Sequence, residues 1–155
     1  MALVPQPMSL DLSRVRYADL NARQKENYNF QKVSAVLADF GFTTLRLTDD
    51  WQGADFIAQH VDGETFLKVQ LKGRLTFGTK YVGKDLYVAF PHAGSWYLYP
   101  HDDVLQTVMR ETDTIRGTTS WDERGGYSFG GLSRHMAALM EPYRIAGPDL
   151  RIDDD

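Results

Sequence analysis

Between Asn21 and Gly41 the apolar positions Phe30, Val33, Val36, Leu37 and Phe40 stand three and four residues apart, which is one face of a helix. Asn21 is a residue type that caps helix starts and Gly41 one that ends them, so the spacing predicts a helix from Asn21 to Phe40. Past Gly41 the period shortens to two. Thr43–Leu47 is short and β-branched and predicts a strand. Thr48–Ala54, with Asp49, Asp50 and Gly53, predicts a loop, and Asp55–Val61 a second strand. Asp62-Gly63 is a hairpin signal, and Thr65–Lys72 follows as the third strand. In that strand Phe66, Lys68, Gln70 and Lys72 share one face, and Leu67, Val69 and Leu71 the other.

Gly73, Gly78 and Gly83 then punctuate the chain. Leu86–Phe90 and Trp96–Tyr99 read as a fourth and a fifth strand around the turn Pro91–Gly94. His101–Glu111 reads as a helix, with Asp102 or Asp103 near its start, where the helix dipole favours an acid. A glycine-rich loop, Gly125–Gly131, precedes a short helix, Leu132–Met140, and from Ile145 the chain reads as a mobile tail. There is no internal repeat. The order predicts an α/β (α+β) fold: an N-terminal helix packed on a mixed central sheet of four to five strands, with additional C-terminal helices. The expected organisation is a single domain over 1–155. It comprises an extended arm (1–18), a core (21–110), an extension (111–144) and an acidic tail (145–155).

Composition narrows the chemistry. The chain of 155 residues has no cysteine, which excludes disulfides, thiolate zinc sites and cysteine nucleophiles and suits a cytoplasmic setting. No stretch approaches the ~18 apolar residues of a membrane span, and Met1–Leu10, with Pro5 and Pro7, is not expected to be a signal peptide. The four histidines are scattered without zinc-site spacing, and there is neither a Gly-x-Ser-x-Gly nor a Gly-Lys-Ser/Thr motif. The net charge of −4 hides an asymmetry: Lys68, Lys72, Arg74, Lys80 and Lys84 stand between Leu67 and Lys84 with no acid among them. Such a strip suffices for phosphate contact even in an anionic chain, although on its own it reads rather as a solvated lysine-rich hairpin.

The candidate chemistry lies in the predicted hairpin. Counting back from Asp62-Gly63 along both strands sets Asp55 roughly opposite Gln70 or Val69, and Gln70 and Lys72 share a face. Three polar groups then converge at the open end of a two-stranded ribbon. Such a set suits metal-assisted phosphodiester hydrolysis. The Asp55 carboxylate, the Gln70 amide oxygen, a backbone carbonyl and waters are oxygen ligands for Mg²⁺ or Mn²⁺. Lys72 would hold the attacking water or neutralise charge on the phosphate.

This ordered set resembles the PD-(D/E)XK nuclease superfamily. Gly53-Ala54-Asp55-Phe56-Ile57 is similar to the family segment around its aspartate, and Val69-Gln70-Leu71-Lys72 to the variant with glutamine at the second acidic position. The strands around Lys84–Phe90 and Trp96–Pro100 resemble those that follow the motif, so the resemblance covers about residues 21–110. It implies a restriction-endonuclease-like core and a catalytic set of Asp55, Gln70 and Lys72, with metal on Asp55 and Gln70. It also implies a further glutamate from the first helix. Glu26 is the candidate, with Asn29 and Gln31 as alternatives for that place. The chain departs from the pattern in having Ala54 before the aspartate and a neutral Gln70. It also has only about a dozen residues between Lys72 and the next strand, little room for the usual crossing helix.

The resulting expectation is a divalent-metal-dependent DNA endonuclease acting on duplex, single-stranded or branched DNA, with RNA also open. Arg74, Lys80 and Lys84 would contact phosphates, and analogy suggests a homodimer. If the Gly125–Gly131 loop reaches substrate, Tyr127 and Phe129 would stack on unpaired bases. The alternative is a catalytically inactive module of the same fold that binds nucleic acid or a protein partner, favoured by the neutral Gln70 and the overall acidity.

Overall fold

A computed structural model describes residues 2–5, 9–10 and 12–148, with the backbone alone for Asp50 and Trp51. Helix α1 spans Ala22–Asp39 and opens on a reciprocal cap. The Asn21 side chain accepts from the Gln24 N–H at 2.9 Å, and Gln24 Oε1 accepts from the Asn21 N–H at 2.9 Å. Gly41, at φ +83°, ends the helix in a conformation that a side chain would strain. The sequence reading places this helix correctly.

The strands are β1 (Phe42–Trp51), β2 (Ala54–His60), β3 (Phe66–Leu71), β4 (Thr76–Gly78), β5 (Leu86–His92), β6 (Ser95–Pro100), β7 (Gly126–Ser128) and β8 (Arg144–Ala146). The main sheet runs β1-β2-β3-β5-β6-β8, six strands rather than the four to five expected, and β4 pairs with β7 in a separate ribbon. β1, β2 and β3 form an antiparallel meander, β5 joins β3 in parallel, and β6 and β8 return antiparallel. The sheet is therefore mixed.

Several boundaries differ from the sequence reading. The expected loop Thr48–Ala54 is strand as far as Trp51. The register is irregular after Arg46, and Gln52 and Gly53 turn at φ 55° and 85°. Two consecutive positive-φ residues are what a tight hairpin needs, and the Asp49-Asp50 pair masked the turn's position. No helix crosses from β3 to β5. Residues 72–85 instead carry β4 and a 3-10 turn, Thr79–Tyr81, and suffice for a parallel crossover. The glycine-rich loop Gly125–Gly131 contains β7, and the expected tail begins with β8, which pairs with β6. Of that tail, residues 149–155 lie outside the described residues, as do 1, 6–8 and 11 of the arm.

Alternation along each strand divides the core between two faces. Val33 and Leu37 of α1 pack on Phe56, Ala58, Val69, Ala89 and Trp96. Val88, Phe90, Tyr97 and Tyr99 point the other way. They meet Val104, Leu105 and Val108 of α2 (His101–Glu111), together with Phe77, Phe129 and Met136. Two short helices complete the second layer: α3 (Thr119–Arg124) and α4 (Arg134–Met140), the latter starting two residues inside the expected Leu132–Met140. Phe56 and Val69 are fully buried, and each contributes about 1.5–3 kcal/mol by leaving water. They lock the β2–β3 register, because a slip of one residue would turn both to the opposite face.

Candidate active site

Phe56 pairs with Val69 on the α1 face. Extending that register one residue toward the open end sets Asp55 against Gln70 on the other face. The Asp55 Oδ2 accepts a hydrogen bond from the Leu71 N–H at 2.8 Å, so the carboxylate is tied to the end of β3.

Gln70 is 8% exposed, and its Oε1 is buried with no hydrogen-bond partner among the described residues. An unsatisfied buried acceptor costs about 1–3 kcal/mol, so such an atom calls for a ligand. On the far side Gln70 pairs with Val88 of β5, which offers only apolar surface. An uncommitted amide oxygen and a carboxylate that strand alternation assigns to one sheet face fit a hard divalent cation that takes oxygen donors. Among the described residues no three His, Cys, Asp or Glu side chains cluster as a metal site. A cation here would therefore depend on Asp55, Gln70, backbone carbonyls and water.

Asp55 and Lys72 line two different clefts, and Gln70 lines neither. One, of about 610 Å³, is lined by Asp55, Glu26, Asp49, Arg46, Arg23 and Asn27 among others. Glu26 thus shares a cleft with Asp55, while its Oε1 pairs with Arg46 Nη2 at 3.3 Å. Arg46 also donates to Asn27 Oδ1 at 2.6 Å. The two alternatives to Glu26 are engaged or exposed elsewhere. Asn29 is buried and donates to the Tyr17 hydroxyl at 2.9 Å, and Gln31 lines a separate cleft with the arm residues Arg14 and Val15. Asp49 belongs to the extended part of β1 and faces the Asp55 cleft, a position the loop expectation did not suggest.

The second cleft, of about 520 Å³, contains Lys72, Arg74 and Lys80. The Lys72 N–H donates to the Ala89 carbonyl at 2.9 Å, which carries strand geometry one residue past β3 and keeps Lys72 on the Gln70 face. Its Nζ stands 5.7 Å from the Tyr81 ring centroid, and Lys80 Nζ lies 5.1 Å from the same centroid. Lys84 lines neither cleft; its carbonyl accepts from Lys68 Nζ at 2.5 Å. Phe129 is 7% exposed and packs in the core, so of the two aromatics expected at substrate only Tyr127 lines the cleft.

The sequence reading passed over Arg124, which enters the same cleft from α3, and His101. The His101 Nε2 accepts from the Gly78 N–H at 3.1 Å, and its Nδ1 bonds Asp102 Oδ1 at 2.8 Å. Asp102 Oδ2 accepts from the Gly83 N–H at 2.9 Å. The start of α2 thereby grips the β3–β5 crossover that carries Lys72, Arg74 and Lys80. Burial pushes the His101 pKa down, against the pull of Asp102. Burial works to raise that of Asp102, but the bonds from His101 and Gly83 prevail and hold it below its usual value. A histidine directly before an aspartate at a helix start was a visible signal, but its partner on β4 was not.

No protein-family model matches the chain, and no curated protein matches it. The solved structures similar to it include two nucleases. The Holliday junction resolvase of the hyperthermophilic archaeon Archaeoglobus fulgidus is 19% identical over 49% of this chain and 72% of that one, with a TM-score of 0.40. A bacterial homing endonuclease is 16% identical over 80% of this chain and 86% of that one, with a TM-score of 0.45. The chain itself has a mixed α+β fold with a six-stranded sheet. No helix among the described residues is long and apolar enough to cross a membrane.

Proposed function

We propose that the chain is a divalent-metal-dependent DNA endonuclease, with Asp55 and Gln70 as the protein's metal ligands and Lys72 as the cationic group at the scissile phosphate. The observation that carries this reading is the buried, unpartnered Gln70 Oε1 on the same face as Asp55. A bound Mg²⁺ or Mn²⁺ would polarise the phosphoryl oxygen and lower the pKa of an attacking water.

The chain's own groups supply the rest. The Leu71 N–H holds the Asp55 carboxylate in place, so it need not reorganise to accept a cation. Lys72 puts positive charge where negative charge grows on the transferred phosphate. Glu26 lies across the cleft, where its pairing with Arg46 sets its position. Arg74 and Lys80 hold flanking phosphates, while the position of Lys84 outside the cleft makes it a weaker candidate for the same role.

The rival reading, a non-catalytic module of the same fold, draws on the neutral Gln70 and on the absence of an acidic metal cluster among the described residues. The deciding experiment incubates supercoiled plasmid, single-stranded DNA and a four-way junction with the protein in Mg²⁺ or Mn²⁺, with Asp55→Asn and Lys72→Ala alongside. Cutting that needs metal and disappears in both variants upholds the enzyme. Folded protein that cuts none of the three substrates overturns it in favour of the module.

A further inference from the structure

The second cleft is built by two segments far apart in sequence. One wall is the β3–β5 crossover with Lys72, Arg74 and Lys80; the other is the C-terminal extension with Arg124 and Tyr127. Three features weld the walls. β4 and β7 pair antiparallel, with Phe77 against Tyr127. The Thr76 and Ser128 hydroxyls bond at 3.0 Å. The Gly125 carbonyl accepts from both the Thr79 N–H at 2.7 Å and the Thr79 hydroxyl at 3.1 Å. The extension is therefore half of the cleft and not an appendage.

The charge of this cleft is one-sided. Four cations line it and no carboxylate does. Among the described residues none of the four pairs with an acid. In a chain of net charge −4, four cations lining one solvent-open cleft without acids concentrate positive potential there and attract anions. Hydroxyls and backbone amides beside Lys and Arg are the usual partners of phosphate oxygens. A volume of about 520 Å³ open to solvent suits an extended polyanion better than a single small ion.

We propose that this groove is a channel for one phosphodiester strand of nucleic acid. Lys80 and Arg124 clasp the backbone from opposite walls, and Tyr127 offers an aromatic face beside it. The strand leads to Lys72, so the inference deepens the nuclease reading by giving the C-terminal extension a substrate-holding role.

The test measures binding of a fluorescent oligonucleotide of about twenty nucleotides, single-stranded and as duplex, by anisotropy in EDTA across a salt series. Arg124→Gln and Lys80→Gln are compared with wild type and with Arg110→Gln, a control on α2 whose partner is Glu111. Each groove variant should weaken binding about fivefold or more and reduce the salt slope by about one, while the control changes neither. Thermal melts check that every variant is folded. Groove variants that bind like wild type, or wild type that binds no strand at low salt, overturn the channel. Loss of binding in the groove variants upholds it even if wild type never cuts DNA. Metal-dependent cutting with unchanged binding in those variants would leave the nuclease standing and remove the channel.

Discussion

The backbone N–H of Leu71 donates to the Asp55 carboxylate at 2.8 Å across the open end of the β2–β3 ribbon. Asp55 is therefore both a structural clamp and the proposed metal ligand, and its substitutions should separate the two roles. Asn keeps an oxygen that can accept from Leu71, whereas Ala leaves that N–H without this partner. Asp55→Asn is expected to abolish metal-dependent cleavage with little change in melting temperature. Asp55→Ala is expected to abolish it and also to cost about 1–2 kcal/mol in urea unfolding.

Gln70→Glu places a second carboxylate beside Asp55 in a buried position. Without metal, burial and the like charge disfavour ionisation, so the variant should melt below wild type. With Mn²⁺ the order should change, because a carboxylate binds a hard cation more tightly than an amide oxygen does. Calorimetric titration should show tighter Mn²⁺ binding, and differential scanning calorimetry a larger metal-induced rise in melting temperature than in wild type. Equal metal responses in the two proteins would argue against Gln70 as a ligand.

His101 should make stability depend on pH. Because Nε2 accepts from Gly78, the proton sits on Nδ1 toward Asp102, and a second proton on Nε2 would face the Gly78 donor. The folded-state pKa lies below the ordinary value, so the unfolded chain binds more protons as pH falls. The contribution is thus fully present above about pH 6.5 and is lost below it, with a slope of at most about 1.4 kcal/mol per pH unit. Asp102, also depressed, acts in a separate window below about pH 4. Urea unfolding between about pH 7 and pH 5 should show this loss in wild type and a flatter profile in His101→Gln.

Gly125 caps α3 at φ +70°, and a Cβ there would fall 2.4 Å from Thr79 Oγ1. Gly125→Ala should therefore cost about 1 kcal/mol or more in stability. It should also loosen the Thr79 contacts that join the walls of the basic cleft. The measurement is hydrogen exchange at the Thr79 and Gly78 amides, which should accelerate in the variant by more than those of β2 and β3.

The legible parts of this protein are those whose physics is local. The α1 face, its Asn21 cap and its Gly41 stop follow from residues within a turn of one another. The Asp62-Gly63 hairpin and strand alternation were enough to put Asp55 near Gln70 and to give Gln70 and Lys72 a common face. What no local pattern contains is the partner of a short strand. β4, β7 and β8 are three residues each, too short for a period, and exist because distant backbone groups pair with them. For the same reason the end of β1 read as a loop: Asp49 and Asp50 favour turns alone, and pairing with β2 overrides them. The sequence by itself thus determined the register of the β2–β3 ribbon, because alternation and turn geometry act over a few residues. Only the tertiary structure decided that Glu26 and Asp55 line one cleft and that Arg124 and Lys80 line the other, because those groupings depend on hydrogen bonds and packing between segments dozens of residues apart.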